Sequence, residues 1–321
     1  MKEFDENTKQ KLCQRLACIL QPEQILVDEK MSAHTTFRVG GEADIFVEIN
    51  TSAELEKVFA ALRAEGLSEL GKDYYLLGNG SNVLVSDSGI RGVVLHLSKK
   101  YAKIELDEPY GTTLVCEAGA TLAEIAHKAC ENGLTGFEFA AGIPGSLGGA
   151  IVMNAGAYDG EMRQVVKRVR LMTPKGEIVE KNTEEMQFSY RHSILKEEPL
   201  IALEAEIVLA RGCQQEIRTK MEALASKRRE KQPLEYPSAG STFKRPAGHF
   251  AAKLIEEAGL RGFSAGGAQV SEKHCGFIVN KGNATAADIH TLIMEVQRRV
   301  KISSQVTIEP EVILLGFGEK G

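Results

Sequence analysis

The sequence predicts an α+β protein, with strands of antiparallel type and helices segregated along the chain rather than alternating. Three observations carry that expectation. Residues 163–210 alternate in the manner of strands, broken at Pro174-Lys175-Gly176, a hairpin turn signal. From about Arg211 the texture changes to helical periods, near 214–230, 249–259 and 285–300, bracketing short strand-like runs. The glycine-rich segments lack the G-x-G-x-x-G opening of a βαβ unit, which removes the main support for a doubly wound sheet.

Taken in order, residues 7–20 read as an amphipathic helix. Thr36–Ile49 is strand-like, with Phe37, Val39, Ile45 and Val47 placed about the turn signal Gly40-Gly41. Thr51 with Glu54 forms a capping-box pattern that opens a helix ending near Gly66. Apolar runs Tyr74–Leu77 and Val83–Val85 flank a glycine-rich turn, and Gly92–Leu97 is a further strand. Thr121 with Glu124 opens another helix, stopped at Gly133. After the 214–230 helix, the Pro-bearing segment Gln232–Pro237 leads into Ala239-Gly240-Ser241-Thr242-Phe243-Lys244-Arg245-Pro246. The last strand is expected over Val306–Leu315, interrupted by Pro310. No internal repeat or low-complexity segment is found.

Bulk properties exclude several function classes. A chain of 321 residues has room for two or three domains, and its 43% hydrophobic and 26% charged content is that of a water-soluble globular protein. A net charge of −5 gives no electrostatic case for nucleic acid. The run Lys227-Arg228-Arg229-Glu230-Lys231 reads as the solvated end of a helix, Lys231 excepted. The six cysteines form no C-x-x-C pair and no cluster with histidine, which speaks against a metal site or a disulfide framework and for reduced thiols. The N-terminus has no apolar core of a secretory signal, and no apolar run approaches the roughly 20 residues of a membrane span. A cytoplasmic protein without a membrane partner is expected.

Two glycine-rich elements carry the chemistry. Gly136–Gly160 holds seven glycines and one proline in an otherwise mainly apolar run, GFEFAAGIPGSLGGAIVMNAGAYDG. Such a wall, with exposed amides, suits a large planar cofactor bearing phosphates. Gly78-Asn79-Gly80-Ser81-Asn82 lies between two apolar runs, where successive N–H groups can form an anion-binding nest. No Lys-Ser/Thr follows, so it is not a nucleoside-triphosphate loop. The two together point to a bound dinucleotide.

Together with HTTFRVGG, FSYRHS, GSTFKRP and IEPEV, in that order from about Ser32 onward, these segments resemble the UDP-N-acetylenolpyruvoylglucosamine reductase family. The chain looks like its second type, without the insertion that carries a mobile tyrosine loop. The resemblance implies a vanillyl-alcohol-oxidase-type (PCMH-like) two-part FAD-binding region followed by a C-terminal α+β substrate domain. The expected divisions are 1–97, 98–212 and 213–305, with strand 306–321 returning to the first part or its border. It implies non-covalent FAD, NADPH as hydride donor, and UDP-N-acetylglucosamine enolpyruvate as substrate, acted on by a monomer. Gly78, Asn79, Gly80, Ser81, Asn82, Ala141, Gly142, Ile143, Gly145, Ser146, Gly149 and Asn154 would hold the cofactor. Asn154 and Tyr158 would line either the flavin or the nicotinamide.

Reduction of an enol ether leaves carbanion character beside the substrate carboxylate. The site then needs cations near that carboxylate and a proton donor on the face where the new stereocentre forms. The family match gives these roles to three residues. Arg191 would pair with the carboxylate in bidentate fashion. Ser241 would deliver the proton, as a relay or with charged neighbours, because a free hydroxyl is a very weak acid. Glu311 would assist as an acid, or as an organiser of Arg191 or of a water. Alternation puts Glu309 on the same strand face, and only the family pattern selects Glu311. Lys231 and Arg245 would meet the uridine diphosphate; His274 reads as a packed structural residue. Two alternatives differ in class: an FAD-dependent oxidase of a small hydroxy acid or alcohol, and a binding module that has lost catalysis.

Overall fold

A computed structural model describes residues 4–108 and 111–318. The chain packs as two compact units, one of Met1–Val27, Asp44–Gly78 and Gly92–Lys227, the other of Asp28–Ala43, Asn79–Arg91 and Arg228–Gly321. Neither unit is a continuous stretch of sequence.

In the first unit the N-terminal helix runs Glu6–Ala17, with the Asp5 carboxylate accepting from Thr8 N at 2.8 Å and Leu12 and Leu16 fully buried. A four-stranded sheet has the order Ile25–Lys30, Glu42–Ile49, Ile90–Leu97, Tyr74–Leu77, the last two parallel. Thr51 caps helix Ser52–Ala64, its hydroxyl accepting from Glu54 N. The return half of that capping box is missing, because the Glu54 carboxylate turns instead to Asn50 N (2.7 Å) and Gln24 Nε2 (3.0 Å). At helix Leu122–Glu131 both halves form, between Thr121 and Glu124. The period-two region becomes three strands of a five-stranded antiparallel sheet, in the order Ile178–Asn182, Val166–Met172, Ile201–Val208, Thr113–Glu117, Ile104–Leu106. Its turn lies at 173–177, as Pro174-Lys175-Gly176 implied, with Gly176 N donating to Thr173 O.

The second unit has its own core, which includes Phe37, Val39, Leu84, Phe243, Ile255, Ile278, Ile289 and Val296. The strand expected from Thr36 begins only at Glu42. Phe37 and Val39 are buried as alternation implied. Between them, however, Arg38 has φ +57°, in a turn closed by Arg38 N to Thr35 O and by Thr35 Oγ1 to Val39 O. An antiparallel sheet of Ser264–Ala265, Ala268–Val270 and Ile278–Asn280 packs with helices Ala251–Glu257 and Ala286–Ser304. The C-terminal strand is shorter than expected, Ile313–Leu315, and pairs in parallel with Val83–Val85. Pro310 has no N–H to donate, and pairing there is reduced to one bridge, Phe243 to Pro310. Mainly antiparallel pairings, with parallel ones between Tyr74–Leu77 and Ile90–Leu97 and between Ile313–Leu315 and Val83–Val85, make the fold α+β, as expected.

Candidate active site

The turn Gly78–Asn82 is tied down by its carbonyls. Gly80 O accepts from Thr36 N at 3.1 Å, and Asn82 O from Ile313 N at 3.0 Å. Among the described residues none accepts from the five amides of this turn, so they are available to an anion, as in a nest. Gly80 has φ +60°, and a Cβ there would lie 1.9 Å from His34 O, so only glycine fits. A Cβ on Gly78 would lie 2.4 Å from Ser146 Oγ, which brings the turn's first residue against the second glycine-rich element.

That second element is fastened at both ends. Leu122 N donates to Gly145 O, while Leu147 N and Gly148 N donate to Ala120 O and Ala118 O. Within it, Ala141 N and Ile143 N donate to Glu138 O and Ala140 O, so these two amides are not available to a phosphate. Gly142, Gly145 and Ser146 have no such acceptor among the described residues, and Gly142 and Gly149 are exposed. Within the first unit, this loop thus has open amides at Gly142, Gly145 and Ser146 beside the half-buried apolar side chains of Ala141 and Ile143.

Asn154 is engaged on all sides by the protein. Its side chain is 1% exposed, and its amide is taken up by protein. Nδ2 donates to the Glu161 carboxylate and to Ser189 O, both at 3.1 Å, and Oδ1 accepts from Arg163 N at 2.9 Å. A polar group this buried is tolerated because both ends of its amide are hydrogen-bonded. Tyr158 is partly exposed, with its hydroxyl 3.5 Å from Leu224 O.

Arg191 lies in a tight turn rather than on a strand. Ser189 N donates to His192 O and His192 N to Ser189 O, each at 3.1 Å, leaving Tyr190 and Arg191 at the tip. Arg191 has φ +56°, and its guanidinium carbon is 5.1 Å from the centre of the Tyr190 ring.

In the second unit the segments that carry Ser241 and Glu311 are bonded to each other through Thr242. Thr242 is fully buried: its N–H donates to Gly276 O, its hydroxyl accepts from Ile278 N, and its carbonyl accepts from Glu311 N at 2.8 Å. Ser241, the preceding residue, stays exposed. Asn82, of the Gly78–Asn82 turn, donates from Nδ2 to Glu311 O at 3.2 Å. Glu309 goes another way, into a surface pair with Lys244 Nζ at 3.0 Å, with its side chain 68% exposed, whereas Glu311 is half-buried. Arg191 belongs to the first unit.

Lys231 is the exposed last residue of helix Gln214–Lys231, and Arg245 is exposed with its guanidinium 4.5 Å over the Phe250 ring. No bond between these two is seen. Burial lowers the pKa of His274, whose Nδ1 accepts from Gly276 N, consistent with a structural residue. All six cysteines are free thiols, and burial pushes Cys116 up to about 12. No cluster of metal-ligating side chains occurs among the described residues, and none of their helices is long and apolar enough to cross a membrane. Thr242 and Ser193, which hold the Ser241 and Arg191 segments, carried no signal in the sequence.

Residues 43–182 match an FAD binding domain family, and residues 232–315 match the C-terminal domain of UDP-N-acetylenolpyruvoylglucosamine reductase. The chain is 50% identical to a UDP-N-acetylenolpyruvoylglucosamine reductase of Caldanaerobacter subterraneus subsp. tengcongensis, over 95% of this chain and 98% of the relative. The protein of that name from Clostridioides difficile is 49% identical over 93% and 95% of the two chains. Among solved structures, UDP-N-acetylenolpyruvylglucosamine reductase (MurB) from Thermus caldophilus is similar with a TM-score of 0.75 and 33% identity, covering 91% of this chain and 98% of that one.

Proposed function

The chain belongs to the UDP-N-acetylenolpyruvoylglucosamine reductase family, and from that membership we propose that it reduces UDP-N-acetylglucosamine enolpyruvate to UDP-N-acetylmuramate with NADPH, in the cytoplasm and as a monomer. The observation that carries the reading within the structure is the pairing of Thr242 O with Glu311 N, with Asn82 of the phosphate turn bonded to Glu311 O. It holds an exposed hydroxyl, a half-buried carboxylate and an anion nest in one framework.

FAD, when bound, supplies the carrier that accepts a hydride from NADPH and gives it to the far carbon of the enol ether. Open amides would hold its pyrophosphate, and those of Gly78–Asn82 and of Gly142, Gly145 and Ser146 are the candidates. Arg191 binds the enolpyruvyl carboxylate through two parallel N–H donors, so negative charge that spreads onto the carboxylate in the transition state meets a fixed cation. Ser241 donates the proton to the carbon beside that carboxylate. A hydroxyl is too weak an acid to do this alone, so Glu311 serves it as a proton source or by ordering a water. Lys231 and Arg245 take the diphosphate.

Anaerobic stopped-flow absorbance of the holoenzyme tests this. NADPH should bleach the flavin band, and the enolpyruvyl substrate should then restore it rapidly. Recovery only on admitting oxygen would indicate an oxidase of a small hydroxy acid or alcohol. A protein that never holds flavin would refute the assignment of both glycine-rich elements.

A further inference from the structure

We propose that the ring of Phe250 is the stacking platform for the uracil base of the substrate, set beside the diphosphate by Arg245; this rests on the readings of the substrate and of Arg245 given above. An aromatic side chain gains much from burial, yet that of Phe250 is 59% exposed. Its backbone, by contrast, is fixed. Phe250 O accepts from Lys253 N at 3.0 Å and from Leu254 N at 3.1 Å, and so begins helix Ala251–Glu257. That helix sinks Ala251, Leu254 and Ile255 into the core of the second unit. The turn before it is closed by His249 N to Pro246 O, with Gly248 at φ +71°. An exposed ring on a fixed backbone has only two side-chain torsions to lose when a ligand covers it, so the entropic cost of binding is small.

Arg245 lies over the face of this ring, its guanidinium carbon 4.5 Å from the ring centre, inside the roughly 6 Å reach of a cation–π contact. Stacking occupies the flat face of a guanidinium. Its N–H groups point outward in the plane, the direction in which they meet phosphate oxygens. A cation for phosphate and an aromatic face for a planar ring thus stand side by side. A nucleotide uses both, since a single sugar joins its base to its phosphates. The order along the chain gives the same answer. Residues 241–244 run beside 309–311, tied by Thr242 O to Glu311 N, by the bridge Phe243 to Pro310, and by Lys244 N to Glu309 O at 2.9 Å. From Ser241 onward the segment offers a hydroxyl, then a cation, then an aromatic ring. UDP-N-acetylglucosamine enolpyruvate offers, in the same order, its enolpyruvyl sugar, its diphosphate and its uracil. All the residues involved lie in the second unit.

The test probes the two ends of UDP separately on the holoenzyme. For each variant, KM and kcat are measured, with inhibition constants for UDP and for inorganic pyrophosphate. Phe250→Ala should raise KM for UDP-N-acetylglucosamine enolpyruvate and the inhibition constant of UDP together, by about 5- to 150-fold, the range that corresponds to loss of one base–aromatic stack. Its kcat should stay at the parent level, because the stack acts equally on bound substrate and transition state. Flavin content, flavin reduction by NADPH and inhibition by pyrophosphate should also be unchanged. Phe250→Tyr should keep most of the affinity. Phe250→Leu should lose most of it, since leucine is apolar but has no π face, and it carries the test should Phe250→Ala fail to fold. An unchanged UDP inhibition constant in the folded variants, or full affinity in Phe250→Leu, would overturn the proposal. So would a parallel rise for UDP and pyrophosphate, which would mean that the ring acts only by holding Arg245. The reading of Arg245 fails separately, if Arg245→Gln leaves inhibition by UDP and by pyrophosphate unchanged.

Discussion

Glu138 is a carboxylate set inside the apolar glycine-rich run, and it is only 3% exposed. It is tolerated there because its oxygens accept from Thr135 Oγ1 (2.6 Å), from Gly136 N (3.1 and 3.2 Å) and from Lys220 Nζ (3.1 Å). Burial by itself favours the neutral acid, but these donors outweigh it and hold the pKa below the ordinary carboxylate value. Because Ala141 N donates to the Glu138 carbonyl, the residue also anchors the start of the 141–146 loop. Lys220 is 59% exposed, so its share is discounted, and the largest lowering contributions come from the Thr135 hydroxyl and from the backbone N–H of Glu138 itself. Glu138→Gln sets an amide donor against existing donors and should cost about 1–3 kcal/mol, read as a lower urea midpoint at neutral pH. The pH dependence has a definite sign. With the folded pKa depressed, the stabilisation is complete above the ordinary carboxylate range and is lost as pH falls through the depressed value. The gap between parent and variant should therefore close in acid. A gap that persists there would mean the carboxylate's charge is not what matters.

The two glycines of the Gly78–Asn82 turn resist substitution for different reasons, and the difference can be measured. At Gly80 an added Cβ would meet a backbone carbonyl, His34 O, at a positive φ, and nothing there can rotate away. Gly80→Ala should lose flavin and cost more than the ~1–2 kcal/mol of the left-handed conformation alone. At Gly78 the obstacle is Ser146 Oγ, a rotatable hydroxyl that makes no capping bond to its helix. Gly78→Ala should keep most of its denaturant midpoint and lose mainly flavin affinity, and equal losses in the two variants would contradict this contrast. Elements of this size were legible in the sequence where their causes are local. Thr121 and Glu124 announced a capping box and it formed. The box at Thr51 formed by half, because Gln24, remote in sequence, competes for Glu54. Alternation at Phe37 and Val39 reported burial correctly but not backbone, since a turn at Arg38 yields the same pattern. The FSYR motif selected Arg191 without showing that it sits at a turn tip. The partners of Asn154 follow no periodic spacing, so its structural duty was invisible.

At the scale of the whole chain, the second unit is assembled from three separated stretches, and this limits what its C-terminal part can do alone. The segment 228–321 supplies its helices and its three-stranded sheet, but Phe37, Val39 and Leu84, all essentially buried in the same core, come from earlier in the chain. The partner strand of Ile313–Leu315, Val83–Val85, comes from there too, as does Asp87, whose carboxylate accepts from Ala286 N and Ala287 N at the start of the long helix. Fully burying each large apolar side chain is worth about 1.5–3 kcal/mol. Losing three of them removes an amount comparable to the roughly 5–15 kcal/mol net stability of a whole domain. The isolated fragment 228–321 should therefore lack a cooperative thermal transition by circular dichroism, although a single family match covers most of it. Adding back peptides that span 28–43 and 79–91 should increase its ordered structure, because they restore the buried side chains, the parallel strand and the helix cap. A fragment that melts cooperatively on its own would show that these earlier stretches are accessory, and that the unit's stability resides in its C-terminal part.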